Sequence, residues 1–125
     1  MTTTPHSIGG EQTLETASRM MREHHIRHLP VLHGGKLLGV LTDRDLKFIE
    51  AFRDVDVRKV LVEEAMSGEP YTVSPDAPLD EVVGTMAAEK YGSAIVVDNQ
   101  HVVGIFTTVD ACRALSELLG TRLSK

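Results

Sequence analysis

The chain has 125 residues, 42% hydrophobic and 25% charged, with a formal charge of −5. That balance is ordinary for a folded domain and argues against disorder; the length suggests one domain or two very small ones. No apolar run approaches a membrane span, Met1–Gly10 lacks the basic and apolar stretches of a secretory leader, and the acidic balance disfavours nucleic acid and anionic membrane as partners.

A shift of 65 positions lays the sequence on itself without a gap: Pro5 meets Pro70, Leu14 meets Leu79, Met21 meets Met86, Gly39 meets Gly104, Thr42 meets Thr107 and Asp45 meets Asp110. Each copy opens on a short extended segment, Ser7–Ile8 or Tyr71–Val73. A helix is predicted next, over Leu14–His25 and Leu79–Lys90. Its apolar positions Leu14, Ala17, Met20 and Met21, and Leu79, Val82, Val83 and Met86, fall on one face. Two strands follow, Leu29–Leu32 with Lys36–Leu41 and Ala94–Val97 with His101–Phe106. The polar turns His33–Gly35 and Asp98–Gln100 split them into hairpins. A second helix closes each copy, over Asp43–Phe52 and Val109–Leu119.

The expected fold is α+β, a β-α-β-β-α unit written twice. Repeat one spans 5–52 and repeat two 70–119. Between them lies a charged linker, 53–69, with a short helical lead in Val57–Met66, and a frayed tail follows at 120–125. A unit this small cannot bury both faces of its sheet. The two copies are therefore expected to pack with pseudo-twofold symmetry, with their Thr-x-x-Asp segments in related clefts near the axis. The lone Cys112 excludes an internal disulfide framework and points to a reduced, cytoplasmic compartment. Aromatic residues make up 4% of the chain and Trp is absent, so no platform for stacking single strands is visible.

The repeat, the stretch His28–Leu32 and the run Gly39-Val40-Leu41-Thr42-Asp43-Arg44-Asp45-Leu46 resemble the CBS domain. The second copy is similar in Ser93–Asp98 and Gly104–Asp110, and Glu64-Ala65-Met66 before Tyr71–Val73 looks like the usual approach to such a repeat. The resemblance covers about Pro5 to Leu119 and leaves no catalytic domain within the chain. It implies a tandem pair, or Bateman module: a regulatory, non-catalytic, ligand-binding unit. It further implies an adenosine ligand, AMP, ADP or ATP, less often S-adenosylmethionine or NAD, and a homodimer acting on an enzyme or transporter. The alternative is a dimerisation or interaction module with degenerate ligand sites.

Thr42-Asp43-Arg44-Asp45 lies where a strand meets a helix. Free N–H groups and the helix dipole there favour a phosphate, which the Thr42 hydroxyl and Arg44 can also contact. The Asp45 carboxylate can accept both hydroxyls of a ribose. The same spacing is also a capping box, which one isolated Thr-x-x-Asp would most simply be. Thr107, Thr108 and Asp110 repeat the pattern, with Val109 in place of Arg44. Arg27 and His28 are candidate phosphate donors, whereas Gly92 and Ser93 at the equivalent positions leave room for a base or phosphate. The resemblance assigns base contacts to Ser7, Ile8, Tyr71, Thr72 and Val73, and Val40 and Ile95 are candidates to wall the adenine. His24, His25, His28 and His33 are read as a solvated helix end rather than a metal site. Cys112 is expected to pack inertly, and Met20, Met21, Met66 and Met86 to fill the core. No nucleophile–base pair is readable, so no catalytic residue is expected.

Overall fold

The computed structural model describes residues 2–3 and 5–123. In chain order these form β1 (Thr2–Thr3), β2 (Ile8–Gly9), α1 (Leu14–His24), β3 (His28–His33), β4 (Lys36–Thr42), α2 (Asp43–Glu50), α3 (Val62–Ala65), β5 (Thr72–Val73), α4 (Leu79–Glu89), β6 (Ser93–Asp98), β7 (His101–Thr107) and α5 (Thr108–Leu123).

The offset of 65 is carried into the backbone. β2 pairs parallel with β3, Ile8 opposite Val31, and β5 pairs parallel with β6, Val73 opposite Val96. Both hairpins are antiparallel, with a bulge at Val31/Leu32 in one and at Val96/Val97 in the other. Their turns place Gly34, Gly35, Asn99 and Gln100 at positive φ, the geometry a two-residue hairpin turn demands. α1 and α4 end on left-handed residues, His25 and Lys90, whose N–H groups return to the carbonyls of Met21 and Met86.

Three apolar clusters hold the fold. Leu14, Ala17, Met21, Leu29, Val31, Leu41 and Leu46 fill repeat one, and Val82, Met86, Ala94 and Phe106 fill repeat two. The third cluster joins the repeats. Val40, Ile95 and Ile105 are buried there with Leu37, Val97 and Val102 against them. Sheet packs on sheet, with Val40 and Ile105 as symmetry equivalents at the seam.

The segment expected to link the repeats is instead built into repeat one. The carbonyls of Val60 and Val57 accept from the N–H groups of Leu14 and Glu15 at 2.9 and 3.1 Å, satisfying donors that a helix start leaves free. Val62 is fully buried in the first core. Ser67 pairs in both directions with Val40, and a side chain at Gly39 would run into the Ser67 carbonyl. Its equivalent is Thr2, which pairs with Ile105 in repeat two. Repeat two thus gains an edge strand from the segment before repeat one, whereas at the equivalent place repeat one gains a single bridge at Ser67. The sheets are accordingly four-stranded, β1-β7-β6-β5, and three-stranded, β2-β3-β4.

The tail expected to fray is helical as far as Leu123; residues 124–125 lie outside the described residues. Strong helix formers flank Gly120 there and carry the helix past it. Cys112 is exposed rather than packed, as its equivalent Lys47 on α2 is.

Candidate functional site

Both Thr-x-x-Asp segments open into one continuous cleft of about 1100 Å³ between the repeats, rather than into two separate ones. The Arg27 carbonyl accepts the Asp43 N–H at 2.9 Å and the Gly92 carbonyl accepts the Thr108 N–H at 3.1 Å, so each helix start is hung on the loop before a hairpin.

The capping box forms in both copies. The Asp45 N–H donates to Thr42 Oγ1 at 3.1 Å, and the Thr42 N–H donates to Asp45 Oδ2 at 2.9 Å. In repeat two the Thr107 N–H and hydroxyl donate to Asp110 Oδ2 at 2.9 and 3.2 Å, and the Asp110 N–H donates to Thr107 Oγ1 at 3.3 Å. Capping therefore occupies one carboxylate oxygen of each aspartate. Arg113 approaches the second oxygen of Asp110 at 3.9 Å. The second oxygen of Asp45 has no hydrogen-bond or ion-pair partner among the described residues.

Arg27, His28, Thr42, Arg44, Asp45, Gly92, Ser93, Thr107, Thr108 and Asp110 all line the cleft. Of the strand positions assigned to the base, Tyr71 does and the other four do not. Ile8 is buried in the first core, Val73 packs against the second, and Ser7 and Thr72 are also off the cleft. Strand pairing dictates this: Ile8 and Val73 sit opposite Val31 and Val96, facing the helices. Ile95 is likewise withdrawn into the seam at 0% exposure, so the apolar floor of the cleft is Val40 and Ile105.

The room expected at Gly92 is partly taken. His28 reaches across the seam, and its Nε2 lies 2.9 Å from where a Cβ on Gly92 would stand. Burial holds the His28 imidazole below its ordinary value of 6.5. The neighbouring Arg27 charge adds to this, and Asp45 and Asp43 pull the other way.

Several lining residues escaped the sequence reading. His25 and Lys90 reach the rim because the left-handed caps turn there. Lys47 and Arg113 lie one turn beyond Asp43 and Asp110, a spacing that was available as a signal. Tyr91 also lines the cleft and stacks at 5.1 Å on Tyr71, the one of the two that the sequence had singled out. Five fixed cations, Arg27, Arg44, Lys47, Lys90 and Arg113, face three carboxylates, Asp43, Asp45 and Asp110. Lys47 is tied to Asp43 at 3.2 Å and Arg113 approaches Asp110, whereas Arg27, Arg44 and Lys90 have no ion-pair partner among the described residues. The cleft is locally positive on an acidic protein. Of the histidines, His6 and His24 stack at 3.7 Å, and no group of three potential metal ligands occurs among the described residues.

A family model described as the CBS domain matches residues 1–50 and 62–117. An inosine-5'-monophosphate dehydrogenase of Korarchaeum cryptofilum is 34% identical over 93% of this chain, which spans only 23% of that relative's length. The CBS domain-containing protein YhcV of Bacillus subtilis is 31% identical over 88% of the chain and 78% of its own length. Among solved structures, AcuB of Vibrio cholerae superposes with a TM-score of 0.86 at 30% identity, covering 100% of this chain and 93% of that one. The domain pair of protein MJ0100, solved with 5'-methylthioadenosine and S-adenosyl-L-methionine, gives 0.79 at 29%, covering 90% of each chain. Hypoxic Response Protein I, solved with two coordinated zinc ions, gives 0.79 at 28%, covering 90% of this chain and 92% of that one. No helix among the described residues is long and apolar enough to cross a membrane.

Proposed function

The chain belongs to the CBS domain family, a family of regulatory rather than catalytic modules, and from that premise we propose that it senses an adenine nucleotide in the cleft between its two repeats. The observation that carries this reading is the unpaired positive charge of Arg27, Arg44 and Lys90 around the N-termini of α2 and α5. A cationic or neutral adenosine derivative, such as the two bound by MJ0100, gains little there. A phosphorylated one gains from the helix dipole and the guanidinium groups together.

In this reading Arg44 and the Thr42 hydroxyl meet the phosphate and the free oxygen of Asp45 accepts a ribose hydroxyl. Val40 and Ile105 lie under the base. A ligand in contact with both repeats shifts the balance between their arrangements by its differential affinity for them. The output then passes to a partner, and the first candidate is a second copy of the chain. Phe48 and Phe52 on and just after α2, and Leu115, Leu118 and Leu119 on α5, are 47% to 64% exposed. Large apolar side chains left exposed on the second helix of each repeat suit a homodimer, which in turn would act on an enzyme or transporter.

Thermal denaturation with AMP, ADP, ATP, S-adenosylmethionine and NAD tests the proposal. A saturating ligand raises the midpoint by mass action. The phosphorylated compounds should do so and S-adenosylmethionine should not. No shift with any of the five at millimolar concentration ends the nucleotide reading.

A further inference from the structure

Histidine is the side chain that ordinarily changes charge near neutral pH, and His6, His25 and His28 all line the cleft. Their settings differ. His6 is stacked on the His24 ring, and His25 caps α1 at the rim. His28 alone lies between the repeats. It opens β3 opposite Thr42, so the two side chains stand on one face of the hairpin, and its Nε2 edge reaches Gly92 across the seam. Neither ring nitrogen has a hydrogen-bond partner among the described residues.

Burial and the Arg27 guanidinium favour the neutral ring, and Asp45 and Asp43 at the start of α2 favour the charged one. Arg44 and Lys47 of α2, Lys90 just after α4, and Asp110 and Arg113 of α5 complete the charged lining of the cleft. A neutral imidazole offers an entering phosphate one donor and one acceptor, and the acceptor repels its oxygens. The imidazolium offers two donors and a charge. The phosphate in turn supplies the negative charge that offsets Arg27. We propose that the cleft takes up its phosphorylated ligand together with a proton on His28, so that occupancy rises as the surroundings acidify. Binding and protonation then favour each other by the same factor. The ligand-free ring ionises below its ordinary value and the liganded ring at higher pH. The added affinity is therefore full in acid and is lost as the pH rises through the liganded value. This inference rests on the nucleotide reading above and adds the proton as its regulator.

Calorimetric titration of the full chain and of His28→Gln with AMP, at pH 8 and pH 6 and one ionic strength, tests the linkage. The phosphate of AMP itself titrates at about pH 6, but it does so equally for both proteins, and the ratio of their affinities removes it. Between pH 8 and pH 6 that ratio should move in favour of the wild type by about fivefold or more. A ratio that does not change overturns the inference and leaves the nucleotide reading intact. Should the variant fail to fold, imidazole proton resonances of the wild type, followed against pH with and without saturating AMP, decide. The titration of His28 should move upward with AMP. No movement, or a larger one at His6 or His25, overturns the inference. No AMP bound by either protein at either pH also overturns it, and if none of the five compounds shifts the melt the nucleotide reading falls as well.

Discussion

His28 and Gly92 form a contact across the pseudo-twofold seam that has no symmetry mate. The Nε2 atom of His28 lies 2.9 Å from the position of a Cβ on Gly92, so the absence of a side chain on one repeat is filled by a large side chain of the other. Gly92→Ala is predicted to cost about 1 kcal/mol by overpacking. In a His28→Ser background the cost should fall to near zero, because the group it collides with is gone. Urea denaturation of the wild type, both single variants and the double variant gives the coupling. Equal costs in the two backgrounds would show that the contact carries no energy.

The same imidazole makes stability depend on pH. Its folded-state value is depressed, chiefly by burial and then by Arg27, so below 6.5 the unfolded chain takes up a proton that the native chain refuses. The stabilisation is complete above 6.5 and is lost as the pH falls through the depressed native value. Melting temperatures measured from pH 8 to pH 5 should decline more steeply for the wild type than for His28→Gln. Identical slopes would remove His28 as the cause.

Leu14 and Leu79 are symmetry equivalents with opposite fates. Leu14 is fully buried under the segment that runs from Val57 to Ala65, whereas Leu79 is 53% exposed. Leu14→Ala should cost about 2–5 kcal/mol and Leu79→Ala less than about 0.5 kcal/mol. Denaturant midpoints of the two variants measure the difference directly.

Asp45 is given two tasks that separate by substitution. Asp45→Ala removes the carboxylate half of the capping box and the ribose acceptor, and should lose about 1 kcal/mol of stability together with AMP binding. Asp45→Asn retains an oxygen for the Thr42 N–H, so it should hold most of that stability while AMP affinity still falls at least tenfold. Full AMP affinity in Asp45→Asn would take the ribose role away from this carboxylate.

The exposed apolar side chains of α2 and α5 are predicted to join two copies. Leu115→Glu places a charge among those of α5, and light scattering should find a dimer for the wild type and a monomer for the variant. A wild type that is monomeric at high micromolar concentration would leave these side chains to a different partner.

Much of this architecture was legible in the residues because it is local and doubled. The hairpins, the one-faced helices and the capping boxes each follow from a spacing, and a pattern seen twice at one offset corroborates itself. The placement of residues 57–66 was not legible. Arg53, Asp54, Asp56, Arg58 and Lys59 give the region the composition of a solvated linker, and Val57, Val60, Val62, Ala65 and Met66, dispersed among charges, anchor it. The meaning of Gly92 escaped for a different reason. Its neighbour in space is His28, 64 positions away in the other copy, and nothing in the local pattern says which residue will face a gap.

The placing of the first strand also fixes how the halves behave as a material. Thr2–Thr3 precede repeat one yet form the edge strand of repeat two, so repeat two is not finished by its own contiguous stretch of chain, and Val40 of one repeat packs with Ile95 and Ile105 of the other. Unfolding either repeat opens that shared seam, and the two should melt in a single cooperative transition rather than in two steps. A ligand that tightens either half therefore stiffens the whole chain, and occupancy at one end of the cleft reaches the far surface without a hinge to carry it.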